Sequence, residues 1–206
     1  MTSPATIVDR PVCRLPPNPF ATRHTRPGAL PPLDEHGDPL DIAALADRCL
    51  ALPAAAIEGP HGHGKTTIST RIIEHLGERG LPVVVVRMRS VADGGRAFLA
   101  VVRAGRGTLV CIDGWERLGR VAAAAVRLAA LCRGLRLLVT AHRATGLPVV
   151  MRCTTSEPLL RALVERLPDD GGRISAADIA AAFARHGGNL RESLYDLYDR
   201  FERRIR

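Results

Sequence analysis

Ala54-Ala-Ala-Ile-Glu58-Gly59-Pro60-His61-Gly62-His63-Gly64-Lys65-Thr66 is the stretch whose reading decides the fold. A short apolar segment runs into a glycine-rich loop, and the loop runs into a helical pattern carried by Ile68, Ile72 and Leu76. Gly59 to Thr66 fit the phosphate-loop spacing G-x-x-x-x-G-K-[ST] at every fixed position. Glycines at 59, 62 and 64 let successive backbone N–H groups turn inward and approach phosphate oxygens without a Cβ in the way. Lys65 supplies a mobile point charge to the outer phosphates, the Thr66 hydroxyl is suited to Mg²⁺, and the helix that begins here offers its positive end. The expected contact set is Gly59, Pro60, His61, Gly62, His63, Gly64, Lys65, Thr66 and Thr67. Because no guanine-reading Asn-Lys-x-Asp motif is present, the expected ligand is ATP with Mg²⁺.

Composition supports this reading. Lys65 is the only lysine in the chain, and every other residue among the 29 Lys and Arg is arginine. In a sequence that uses arginine wherever a positive charge suffices, a lone lysine marks a place that needs a compact ammonium on a flexible stem. The net charge is +8, yet the arginines are spread along the chain and aromatics make up only 3%. Nucleic acid therefore ranks below a protein as the partner. No long apolar run suggests a membrane span, and the first residues lack the charged-then-apolar order of a secretory signal, so a cytoplasmic location is expected. The cysteines at 13, 49, 111, 132 and 153 form no metal-ligand spacing and read as reduced, mostly buried thiols.

Residues 1–40 are proline-rich and read as an extended arm, within which Asn18-Pro19-Phe20 and Arg23 to Gly28 look like a docking segment. A helix is expected over Asp41 to Leu52, the first core strand over Ala54 to Glu58, and the first core helix over Lys65 to Leu76. The β-branched run Pro82 to Met88 predicts a strand covered on both faces. Thr108 to Asp113 is a strand ending in a carboxylate, the Walker B pattern, with Asp113 as a second metal ligand beside Thr66. Leu118 to Arg133 is an amphipathic helix with the stripe Leu118, Val121, Ala125, Leu128 and Cys132. Leu135 to Thr140 and Leu147 to Cys153 complete five strands, and Pro158 to Leu167 follows as a helix. Beyond the break at Pro168 to Gly172, Ser175-x-x-Asp178 is a capping box, and Asn189-x-x-Glu192 opens the last helix. Alternating strands and helices imply a three-layer α/β/α fold with a mainly parallel five-stranded sheet and ligand groups at the strands' carboxyl ends. The expected divisions are the arm (1–40), the core (41–168) and a small C-terminal helical lid (169–206).

The order of these features resembles the additional-strand P-loop NTPases, and within them the AAA+ and STAND (NACHT-like) ATPases. Leu109-Val-Cys-Ile-Asp113-Gly114-Trp115-Glu116 is similar to the extended Walker B of NACHT modules. That resemblance makes Glu116 the acid that orients the attacking water, because Gly114 stands where many AAA+ proteins have glutamate. Leu137-Leu-Val-Thr140-Ala-His142-Arg143 is similar to the sensor strand, implying that Thr140, His142 or Arg143 senses the γ-phosphate. Gly187-Gly188-Asn189-Leu190-Arg191 resembles the lid motif, implying that Arg191 couples nucleotide state to the lid. The implied activity is ATP hydrolysis used as a switch on a macromolecular partner. A P-loop kinase with a small acceptor and a non-hydrolysing nucleotide-binding scaffold are the alternatives.

Overall fold

A computed structural model describes residues 17–206; Cys13 and the prolines at 4, 11 and 16 lie outside the described residues. The core strands are β1 (Ala54–Glu58), β2 (Val83–Arg87), β3 (Leu109–Asp113), β4 (Arg136–Ala141) and β5 (Val149–Arg152). They form one sheet in the order β2-β3-β4-β1-β5, with every pairing parallel. The helices are α1 (Thr22–Thr25), α2 (Ile42–Leu50), α3 (Lys65–Glu78), α4 (Gly94–Arg103), α5 (Gly119–Cys132), α6 (Glu157–Val164), α7 (Ala176–Arg185) and α8 (Leu190–Ile205).

Side chains alternate across each strand, and the alternation builds the three layers. On β3, Val110 and Ile112 pack with Ala97 and Val101 of α4 and Val126 and Ala130 of α5. Leu109 and Cys111 pack on the other face with Ile68, Ile72 and Leu76 of α3 and Leu45 and Cys49 of α2. A third cluster is helical: Leu160 of α6, Ile179 and Ala182 of α7, and Leu194, Leu197 and Phe201 of α8 enclose Phe20 and Leu33.

The described part of the arm is thus anchored within the chain. Phe20 is buried, and the Asn18 side-chain amide donates to the Tyr198 carbonyl at 3.1 Å and to Glu202 Oε1 at 2.9 Å. The docking segment read from the sequence docks on α8 of its own chain. The segment also carries the helical turn α1 and a bridge between Leu33 and Pro39, so it is less extended than its prolines suggest.

Two expectations about burial are corrected. β2 is covered only in part: Val84 and Val86 pack on the α4–α5 side and Val83 on the α3 side, but the strand forms an edge of the sheet with β3 as its one neighbour, and Val85 is about half exposed. The stripe expected to pack α5 on the core is mostly open, with Val121 86% and Leu128 62% exposed. The helix instead seats a face of smaller side chains, Ala122, Ala123, Val126, Ala129 and Ala130. Among the described residues Cys49, Cys111 and Cys153 are buried and Cys132 is exposed, and all four are free thiols.

The helix starts follow the local chemistry. The Asp41 side chain accepts from the Ala44 amide at 2.9 Å, and Ser156 caps α6 through the Leu159 amide at 3.1 Å. Ser175 and Asp178 form the expected capping box on α7. Asp178 also takes the Arg204 guanidinium bidentately at 2.7 and 2.9 Å and Arg200 at 3.0 Å. The hydrogen bonds from Arg204 and Ser175 hold its carboxyl well below the ordinary value of 3.8. Its contribution to stability is therefore fully present above pH 3.8 and lost as pH falls below it. Asp178→Ala should destabilise the α7–α8 pair by about 2 kcal/mol, less than a fully buried pair because Arg204 is partly solvated. Urea melts at neutral pH and at pH 3 check both statements: the gap between wild type and variant narrows in acid.

Candidate nucleotide-binding site

The sheet order places the tip of β4 between those of β1 and β3. Whatever joins the loop after β1 to the carboxylate at the end of β3 must therefore pass residues at the end of β4. The Asp113 and Thr140 backbones are paired in register, and the Thr140 hydroxyl donates to Asp113 Oδ1. One residue past the strand end, His142 Nδ1 lies 2.9 Å from Lys65 Nζ. Its Nε2 lies 3.5 Å from Glu116 Oε1. A continuous polar chain thus runs Glu116–His142–Lys65 beside the Thr140–Asp113 pair. His61 stacks on His142 with ring centroids 3.3 Å apart.

Lys65 is buried, and its ammonium donates to the Gly59 and Pro60 carbonyls at 2.5 Å each. Burial pulls its pKa down from the ordinary value. Burial, then the neighbouring ammonium, likewise lowers the pKa of His142. The imidazole is therefore favoured in its neutral form, and its Nδ1 can accept from Lys65. His63 is lowered chiefly by burial, and its Nδ1 lies 3.3 Å from the Cys153 carbonyl. Burial pushes the Cys153 thiol up to about 11, which leaves it protonated at neutral pH.

Two glycines are required by shape. Gly62 has φ +75°, and a Cβ built on it would overlap the side-chain amide of Asn189, which packs against the loop. Gly114 has φ +89°, and its Cβ would meet the Met88 carbonyl at 3.1 Å. The turn after Asp113 would thus strain any side chain at position 114, including the glutamate that AAA+ proteins often carry there. Glu116 instead follows at the start of a single 3₁₀ turn, Trp115–Leu118, anchored by the buried Trp115 and Leu118.

A cavity of about 440 Å³ opens over these strand tips. Its polar lining includes His61 to Thr67, Asp113, Arg117, His142 and Arg191, and its apolar lining includes Pro31, Leu33, Met151, Leu159, Leu190 and Leu194. Of the residues expected from the sequence, it gathers His61, Gly62, His63, Gly64, Lys65, Thr66, Thr67, Asp113, His142 and Arg191. Gly59 and Pro60 take part through carbonyls that hold Lys65, and Thr140 through Asp113. Glu116 does not line the cavity and reaches it only through His142, while Arg143 is exposed and stands outside it.

Three contributors were not singled out from the sequence. Asn189 both caps α8, accepting from the Glu192 amide at 3.2 Å, and packs on Gly62; its capping pattern was legible, but its second contact depends on where α8 lands. Arg117 was hidden among many arginines. The arm residues Leu30 to Leu33 line the cavity, and the only sequence signal for them was an apolar Leu-Pro-Pro-Leu run inside the proline-rich segment.

The donor set suits a small hard cation. Thr66 and Asp113 offer a hydroxyl and a carboxylate to one cavity, and Thr140 occupies only one of the two Asp113 oxygens. No group of three or more His, Cys, Asp or Glu able to hold a metal occurs among the described residues. Two protein oxygens completed by phosphate and water is the arrangement Mg²⁺ accepts.

No family model matches the sequence, and no curated protein matches it either. Among solved structures, the chain is similar to a DNA replication initiation factor, with a TM-score of 0.56 and 12% identity over 79% of this chain and 61% of that one. It is also similar to a point variant of RuvB from Thermotoga maritima, with a TM-score of 0.51 and 15% identity over 75% of this chain and 56% of that one. This chain therefore spans less than two thirds of the length of either. At such identities the likeness shows the fold alone, a parallel five-stranded α/β sheet with helices packed on both faces. No helix among the described residues is long and apolar enough to cross a membrane.

Proposed function

We propose that the chain is a Mg²⁺-dependent, ATP-binding ATPase switch of the AAA+/STAND-like kind that acts on a macromolecular partner, a protein ahead of nucleic acid. The observation that carries this reading is the convergence of the loop, Lys65, Asp113, His142 and Arg191 on one cavity whose remaining wall is apolar. The polar part suits a triphosphate, and the apolar part, built by the arm, α6 and α8, suits a purine ring.

In this reading the loop amides and Lys65 take the phosphate oxygens, with Lys65 exchanging the Gly59 and Pro60 carbonyls for them. Thr66 and Asp113 hold Mg²⁺, which supplies neutralisation of the charge that develops on the transferred phosphoryl group. Glu116 orients the attacking water with His142 beside it. The water oxygen bonds to the terminal phosphorus, the bond to the bridging oxygen breaks, and the water's proton passes to the Glu116 carboxylate. His142, in contact with both Lys65 and Glu116, reports the state of the terminal phosphate. Arg191, at the start of α8, transmits it to residues 169–206 acting as a lid, through the same helix that holds Asn189 on the loop.

One observation favours the non-hydrolysing scaffold as a second reading: Glu116 contacts His142 instead of lining the cavity. Phosphate release from ATP by wild type and Glu116→Gln separates the two. The ATPase reading expects slow turnover in wild type and a loss of about a hundredfold in the variant with nucleotide affinity kept. No release from either protein leaves only the scaffold, and phosphate transfer to a small acceptor would point to a kinase.

A further inference from the structure

The outer face of α5 is a continuous apolar stripe: Val121, Ala124, Ala125, Leu128 and Leu131 recur at spacings of three and four, and all are exposed. Val121 is 86%, Leu128 62% and Leu131 64% exposed. The packed neighbour α4 adds Phe98 at 44% and Val102 at 39%. Isolated exposed apolar residues are ordinary, but a full stripe on one helix with further exposed apolar residues on the helix packed beside it marks an interaction surface.

Its charge is one-signed. From Gly94 to Arg136 the sequence has eight arginines, and its only acids are Asp113 and Glu116, both engaged at the nucleotide site. Arg103 at the end of α4, Arg106 just beyond it, and Arg120 and Arg127 on α5 are exposed and form no ion pair among the described residues. A second copy docked through the same face would set arginines against arginines. An anionic membrane would also satisfy the charge, but of the bulky aromatic anchors that bilayer interfaces favour this surface carries Phe98 alone, and α5 has none. Ala124 and Ala125 leave a shallow saddle between Val121 and Leu128 that another helix can fill by ridge-into-groove packing.

We infer that the outer face of α4 and α5 docks an amphipathic helix of a partner protein, with leucine-like residues along its buried face and acidic residues on its flanks. The surface shares no lining residue with the nucleotide cavity. It goes beyond the proposed switch by naming where a partner sits and what chemistry it brings, and it stands whether or not the cavity hydrolyses ATP.

The test uses the full chain and two fluorescent synthetic helices of about 18 residues, or five turns, with the same leucine stripe. One carries Glu on its flanks and the other carries Lys at those positions. Fluorescence anisotropy should show the Glu helix binding at least about tenfold more tightly than the Lys helix. The double substitution Val121→Glu with Leu128→Glu should weaken that binding by at least about tenfold, with an unchanged thermal melt because both side chains are exposed. Leu128→Gln, a milder change, should give a smaller loss in the same direction. Equal binding of the two helices, no binding of either, or full binding by the double variant overturns the proposal. So does cosedimentation of the chain with anionic phospholipid vesicles, or self-association, that Leu128→Glu abolishes, since either assigns the face to another occupant.

Discussion

Lys65→Met should lower affinity for ATP by a hundredfold or more, about 3 kcal/mol, while leaving the protein folded. The ammonium is the only lysine charge in the molecule and sits buried at the mouth of the loop. Without nucleotide it is poorly solvated, as the downward pull of burial on its pKa indicates, so removing it relieves a desolvation cost. Against that relief stand the Gly59 and Pro60 carbonyls, which lose a donor. The two effects oppose each other at about 1–2 kcal/mol each, so thermal stability should move little while affinity collapses. Calorimetric titration with ATP, paired with a melt, reads both quantities. Unchanged affinity in a folded variant would remove the loop from the binding site.

Asp113→Asn should abolish the Mg²⁺-dependent part of ATP affinity and lower turnover about a hundredfold. The amide is isosteric and its oxygen can still accept from Thr140, so the β3–β4 junction should persist and only the charge is lost. Affinity measured in EDTA should be equal to wild type or slightly higher, because a negative charge no longer faces the phosphates. A variant that keeps both its magnesium dependence and its turnover would show that Asp113 only holds a turn together.

The turn from β1 into α3 was legible because its physics is local: positive-φ glycines and a lysine opening a helix within one stretch. The five strands and most helices were legible for the same reason, through period and through end chemistry at Ser175 and Asn189. What escaped depends on which element lands beside which. Strand order is written in no single strand, so the β-branched run of β2 reads as central although β2 lies at an edge. The period of α5 shows that it has an apolar stripe but not which way the stripe faces. Here the alanines seat on the sheet and the larger residues remain outside. Glu116 and His142 are each candidates in the sequence, but their contact arises because β3 and β4 are neighbours in the sheet. The resemblance to a sensor strand puts Arg143 at the site, yet one residue beyond His142 on a chain leaving a strand is enough to turn a side chain to solvent. Asn189 shows the converse: a residue fully explained as a helix cap also closes on Gly62.

The most direct test is the structure of the chain with a non-hydrolysable ATP analogue and Mg²⁺. The triphosphate should lie in the cradle of Gly59 to Thr66, with Lys65 turned from its two carbonyls to the outer phosphates and Asp113 bound to the metal directly or through water. A nucleotide bound elsewhere, or a metal with no connection to Thr66 and Asp113, would contradict it.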